Sequence, residues 1–191
     1  MTVSIGADGL TRCNWGSADP EYLGYHDEEW GVPLHGDRAL FEKLSLEGFQ
    51  AGLSWITILK RRPAFREVFH GFELAPVAAM TQADADSLME DARIIRNRAK
   101  IAATIANARI ALELTADSPG ALDALMWSFA PANRPRPSVI PAVTTESTAM
   151  STALRKRGFR FVGPTTMYAL MQSSGMVDDH DPACWRAGAT A

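Results

Sequence analysis

Helix start and stop signals punctuate this chain from end to end, and they predict many short helices. Asp19-Pro20 is an N-cap followed by proline at the first helical position. Thr81 and Asp84 form a capping pair for residues 82–92, and Asn97 caps a longer helix with Ile101, Ile105, Ala108 and Leu112 on one face. From Asp37 to Arg62 the apolar residues Leu40, Phe41, Leu44, Leu53, Ile56 and Leu59 keep helical spacing, with Gly48 and Gly52 marking a bend or a close backbone approach. Further helices are expected from Pro63 to Gly71, over 118–129, over 147–156 with Gly158 as stop, and over 164–174 with Gly175 as stop. Four prolines between Ala130 and Ser147 make that stretch the longest loop. No strand-like alternation and no internal repeat is visible, so the expected class is all-α.

The 191 residues, 47% of them hydrophobic, suffice for one compact domain or two small lobes. No run approaches 18 apolar residues, and the N-terminus lacks the basic start and apolar core of a secretory signal. Two cysteines are too few for a disulfide scaffold, so the cytoplasm is the expected compartment. A net charge of −3 argues against a protein that coats nucleic acid indiscriminately, but it leaves room for local basic faces.

The cysteines and histidines are oddly placed. Cys13 and His26 stand near one end; His180 and Cys184 stand near the other. Such a Cys2His2 set suits tetrahedral zinc, and four protein ligands would make the site structural. Two blander readings stay open: Cys13 as a small core residue with His180 on the surface, or a Cys13–Cys184 disulfide.

The N-terminal third gathers Trp15, Tyr22, Tyr25, Trp30 and Trp55, and "LEGFQAGLSW" sets Glu47 among apolar neighbours. An aromatic core stripe is the ordinary explanation. A buried acid, however, needs a partner or a task. Aromatic walls ending in one carboxylate would suit a flat, cationic, amine-bearing ligand, each ring face contributing ~0.5–2 kcal/mol. Basic clusters lie at 60–62, at Arg93, Arg96, Arg98 and Lys100, and at Arg155, Lys156, Arg157 and Arg160. They read either as solvated helix ends or as phosphate contacts on one face. Combined with a base-shaped pocket, they suggest an enzyme that extracts one base from DNA.

"YHDEEWGVP", "LEGFQAGLSWITILKRR", "DARIIRNRAKI" and "RKRGFRFVGPTTMYALMQSSGMVDDH" resemble the 3-methyladenine DNA glycosylase I family over residues 12–185. The resemblance implies a helix–hairpin–helix glycosylase fold, a single all-α domain over residues 12–191 or two small helical lobes with the base pocket between them, and leaves residues 1–11 as a flexible extension. It implies that structural zinc on Cys13, His26, His180 and Cys184 ties the termini together. Glu47 matches the acid that reads the base edge and is the catalytic candidate, a binder first and a base second. Trp15, Tyr22, Tyr25 and Trp55 match the aromatic positions around the base, with Trp30 in support, and Leu53 matches the wedge that fills the gap left by a flipped nucleotide. Arg96, Arg98, Lys100, Lys156 and Arg157 would meet DNA. The family commonly has glycine where this chain has Arg93 and Ala99, so a need for positive φ there would alter the hairpin.

The implied activity is hydrolysis of the N-glycosidic bond of 3-methyladenine in double-stranded DNA by a monomer, releasing the free base without strand cleavage. Competing readings are a zinc-stabilised DNA-binding module without catalysis, a zinc hydrolase, which would need an open metal position, and a strand-cleaving enzyme acting through Lys100.

Overall fold

The computed structural model describes residues 2–16, 19–133 and 139–188. Part of the proline-rich loop, residues 134–138, lies outside that description. Ten helices account for most of the described chain, and a two-stranded antiparallel sheet precedes them: β1 (Val3–Ile5) and β2 (Thr11–Cys13), with Val3 opposite Cys13. This hairpin corrects the expectation of a chain without strands. Three-residue strands are too short for alternation to register. The Trp185 N–H donates to Thr11 O at 2.8 Å, so the C-terminal segment lies against the same strand.

The helices are α1 (Pro20–Glu28), α2 (Asp37–Gln50), α3 (Trp55–Leu59), α4 (Arg62–Val68), α5 (Leu74–Ala79), α6 (Gln82–Leu88), α7 (Arg98–Thr115), α8 (Ala121–Trp127), α9 (Thr145–Lys156) and α10 (Pro164–Ser173). None is long and apolar enough to cross a membrane. Helix α2 is the axis of the fold. Every residue from Leu40 to Phe49 is buried, and the helix packs on α3, α7, α8 and α10. Its Phe49 ring meets Phe65 of α4 at 4.6 Å, and Phe69 and Phe72 continue that cluster. Burial on all sides leaves three charged residues of α2, Glu42, Lys43 and Glu47, away from solvent. Each therefore needs compensation.

The caps behave as the sequence predicts. Asp19 accepts from the Glu21 N–H at 2.9 Å, Thr81 and Asp84 form a reciprocal box, and Asn97 Oδ1 accepts from the Lys100 N–H at 3.1 Å. The predicted bend near Gly52 is a full break. Gly52 takes φ +85°, the Leu53 N–H closes onto Gln50 O at 2.6 Å, and α3 restarts at Trp55. Between α6 and α7 the hairpin occupies 89–96, because α6 ends at Leu88, short of the expected 92. Buried Ile94 anchors it. Neither Arg93 nor Ala99 has positive φ; Ala99 lies inside α7, so glycine is not needed at either position.

Candidate active site

One pocket of about 290 Å³ collects the aromatic residues singled out in the sequence. Helix α1 carries Tyr22 and Tyr25 three residues apart, hence on one face. Trp15 sits in a single 3₁₀ turn before α1, Trp30 just after it, and Trp55 opens α3. Their rings form a small cluster of their own that packs partly edge-on: Trp15 meets Tyr22 at 5.6 Å and 78°, and Trp30 at 5.0 Å and 78°. The Tyr22 hydroxyl accepts from the Ile56 N–H at 3.0 Å, which fixes its tip to the start of α3. The buried Trp55 Nε1 has no hydrogen-bond partner among the described residues.

Glu47 of α2 forms part of the same wall, 3% exposed. Ser173 Oγ donates to its Oε1 at 2.8 Å. Burial pushes the Glu47 carboxyl up to about 7; the positive charge of Lys43 and the Ser173 hydrogen bond oppose that rise. Lys43, one helical turn earlier, is also buried, and its Nζ lies 5.0 Å from the Tyr25 ring centroid and 5.6 Å from that of Trp55. Burial lowers its pKa, while Glu47 and Glu29 pull the other way. Ala169, Gln172 and Ser173, at helical spacing on α10, close the pocket with Gln50 and Ile140. Sequence reasoning missed this α10 face and Lys43. Ser173 lies 126 positions from Glu47, and no local pattern joins them.

The Cys/His set abuts the aromatic wall. Ligand atoms of Cys13, His26 and Cys184 lie within 4.8 Å of one another, all buried, and Cys184 Sγ is 3.4 Å from His26 Nε2. Both cysteines are free thiols. The His180 ring meets that of His26 at 5.2 Å, and the buried His180 Nε2 has no hydrogen-bond partner among the described residues. Each histidine gives its Nδ1 to a carboxylate at 2.8 Å, His26 to Asp27 and His180 to Asp178. That arrangement leaves both Nε2 atoms for a metal, as is usual where a carboxylate orients a ligating histidine from behind. Two thiols and one imidazole gathered this closely suit zinc, with the His180 ring beside His26 as the fourth candidate, so the donor chemistry fits the metal. The backbone approaches closely here: a Cβ on Gly31 (φ +78°) would stand 2.7 Å from His180 Cε1. Trp30 spans the two sites, its ring 4.6 Å from His180 and 5.0 Å from Trp15.

The remaining predicted residues lie outside the pocket. Leu53 is 42% exposed at the tip of the break after α2. Arg96 and Lys156 are exposed. Arg98 pairs with Asp86, and exposed Arg157 reaches Ala153 O at 3.1 Å. The 156–161 segment docks on α7, where Asn107 exchanges two hydrogen bonds with the Arg160 backbone at 2.8 and 3.0 Å. Lys100 departs from the expected phosphate contact. It is buried, and its Nζ donates to Phe49 O at 2.9 Å and Ala51 O at 2.7 Å. These are carbonyls of the kind a helix end leaves without intrahelical partners, so Lys100 acts as the C-terminal cap of α2.

The helical fold is that of a DNA glycosylase: solved 3-methyladenine DNA glycosylases superpose on more than nine-tenths of it. The chain is a member of the methyladenine glycosylase family, whose model matches residues 15–187. It is 48% identical over 181 residues to DNA-3-methyladenine glycosylase 1 of Escherichia coli K12, covering 92% of this chain and 96% of that protein. It is 46% identical over 179 residues to DNA-3-methyladenine glycosylase of Haemophilus influenzae, covering 91% and 96%. A crystal structure of 3-methyladenine DNA glycosylase I superposes with a TM-score of 0.86 at 45% identity, covering 91% of this chain and 98% of the other. A variant of 3-methyladenine DNA glycosylase I in complex with 3-methyladenine gives 0.84 at 36% identity, covering 92% and 97%.

Proposed function

We propose that this protein excises 3-methyladenine from double-stranded DNA in base-excision repair. The observation that carries the proposal is Glu47: a buried carboxylate at the wall of an aromatic pocket, in a chain of this family. Methylated adenine in DNA is cationic, so its bond to the sugar is already weakened. When the C1′–N9 bond breaks, its electron pair goes to N9 and the base leaves neutral. Water adds to C1′ and loses its proton. The enzyme supplies extrusion of the nucleotide, at a few kcal/mol, and selection of the base. Leu53 fills the vacated stack. Trp15, Tyr22, Tyr25 and Trp55 favour a cationic ring over neutral adenine. Ionised Glu47 accepts from the exocyclic amine. Arg96, Arg98, Lys156 and Arg157 hold the phosphates.

The chemistry is monofunctional. Strand cleavage would need a free amine nucleophile, and the Lys100 ammonium is held on two carbonyls. Zinc on Cys13, His26, His180 and Cys184 is structural: a filled tetrahedral set has no position for a reacting water. The test is incubation with methylated duplex DNA. Free 3-methyladenine should appear by chromatography, with intact abasic strands and no adduct trapped by borohydride. Absence of released base would overturn the assignment in favour of a binding module.

A further inference from the structure

We infer that Lys43 is a positioning residue that holds Glu47 in its ionised, amine-accepting form and so sets the pH range over which the pocket takes a cationic base. The inference rests on the proposed base-reading role of Glu47.

The geometry is specific. Lys43 and Glu47 are one turn apart on α2, both buried, and they face different cavities. Glu47 lines the aromatic pocket and Lys43 does not; Lys43 lines a second cavity of about 200 Å³ and Glu47 does not. Ser173, which donates to Glu47, lines both. The ammonium also lies against the Tyr25 and Trp55 rings, which line the base pocket. It therefore acts on the pocket from outside it and has no place in contact with the base.

The surrounding charges single out Lys43. Glu29, at the end of α1, is bound by Arg62 of α4 through both guanidinium nitrogens, one at 2.7 Å. Glu42 takes Arg66 of α4 at 2.7 Å and Arg38 at 3.3 Å. Those pairs use the nearby arginines. Among the described residues, Lys43, one turn away on α2, is the cation whose charge favours ionised Glu47, and the neutral Ser173 hydroxyl assists from α10. The tyrosine facing Glu47, Tyr25, stays neutral because burial raises its pKa. Burial of the Glu47 carboxylate is opposed by the Lys43 charge and by the Ser173 hydrogen bond, and Lys43 is the charged one of the two. In the second cavity Glu29 and Glu42 favour the charged ammonium, against the burial that lowers its pKa.

The sign follows. Glu47 accepts from the amine when deprotonated, so uptake of the base rises with pH through its titration. Removing Lys43 raises the carboxyl further and moves that rise to higher pH. An adjacent opposite charge ordinarily moves a carboxyl by about 1–3 on the pH scale, so the acid limb should move up by about one or more.

The experiment compares wild type, Lys43→Met and Lys43→Arg by tryptophan fluorescence titration with the 3,9-dimethyladeninium cation between about pH 5 and 8, a range set by the Glu47 titration. This cation mimics the glycosylated base and has no proton to lose in that range. We expect the limb to move upward in Lys43→Met, with affinity on the limb falling about tenfold for each step of one in pH that it moves, and Lys43→Arg to restore it. A lowered melting temperature with an unmoved limb would make Lys43 a packing residue and overturn the inference. Should Lys43→Met fail to fold, Lys43→Gln serves, read against the same limb. Failure of the wild type to bind the cation at any pH would overturn the base-reading role of Glu47 instead.

Discussion

At the scale of single residues, the site is built at the expense of stability. Glu47 titrates near 4.5 in the unfolded chain, and burial raises it to about 7 in the fold. Between those values the folded state holds a proton that the unfolded state has lost, so this group's contribution falls as pH rises from about 4.5 to 7. The burial cost above that window is on the order of 3 kcal/mol. Glu47→Gln should therefore melt higher than wild type at pH 8, and the difference should shrink toward pH 5. The same change puts an amide donor where the proposed reading of the base calls for an acceptor. Affinity for free 3-methyladenine at pH 8 should fall roughly ten- to a hundredfold, since a charge-assisted hydrogen bond is worth ~1.5–3 kcal/mol. Unchanged affinity together with lowered stability would make Glu47 a structural acid. The sequence made Glu47 legible because a carboxylate in an apolar string is anomalous by itself. Ser173 and Lys43 were not, because a serine near a helix C-terminus and a lysine within an amphipathic-looking helix are ordinary until the fold buries them.

At the scale of elements, caps were readable and burial was not. Asp19, Thr81 and Asn97 announce helix starts because capping chemistry is local. The inward turn of Lys100 was hidden because its acceptors, Phe49 O and Ala51 O, are 51 and 49 residues away. This separates two effects that a basic cluster confounds. Lys100→Met should destabilise the protein, because it strands two carbonyls at the end of α2, at about 1–3 kcal/mol for a buried unsatisfied group. A circular-dichroism melt checks this; a normal melt with weakened DNA binding would return Lys100 to the DNA face. Arg96 is exposed in the hairpin and makes no ion pair among the described residues, whereas Arg98 already holds Asp86. Arg96→Ala should weaken lesion and undamaged duplexes alike and reduce the salt slope by about 1. A change confined to the preference between lesions would refute a phosphate role.

At the scale of the whole molecule, the question is why the two ends of the chain meet beside the pocket. The hairpin strand β2 delivers Cys13, α1 delivers His26, and the segment after α10 delivers His180 and Cys184. Hydrogen bonds already join these parts: the Asp181 N–H donates to Cys13 Sγ at 3.3 Å, and Arg12 grips Asp27, the carboxylate behind His26. The junction bears on function through Trp30, which packs between His180 and Trp15. The resemblance put Cys13, His26, His180 and Cys184 together as a candidate zinc set, whereas spacing alone left a disulfide open, because nothing local relates residues 13 and 184. Zinc-finger peptides derive ~10–16 kcal/mol from their metal. A domain with its own core needs only a fraction of that, and about 3 kcal/mol would move the melting temperature of a chain this size by about 6–12 °C. Purified protein should hold one zinc per chain by elemental analysis, and chelation or Cys184→Ser should lower the melting temperature by that order. Below the melt, the ratio of affinities for 3-methyladenine and adenine should stay unchanged, because Glu47 and the ring faces remain in the pocket while only the support behind Trp30 is weakened. Protein free of metal that carries a Cys13–Cys184 disulfide would sink the zinc assignment. A selectivity ratio that collapses before the melt would instead show that the metal junction sets the shape of the aromatic wall directly.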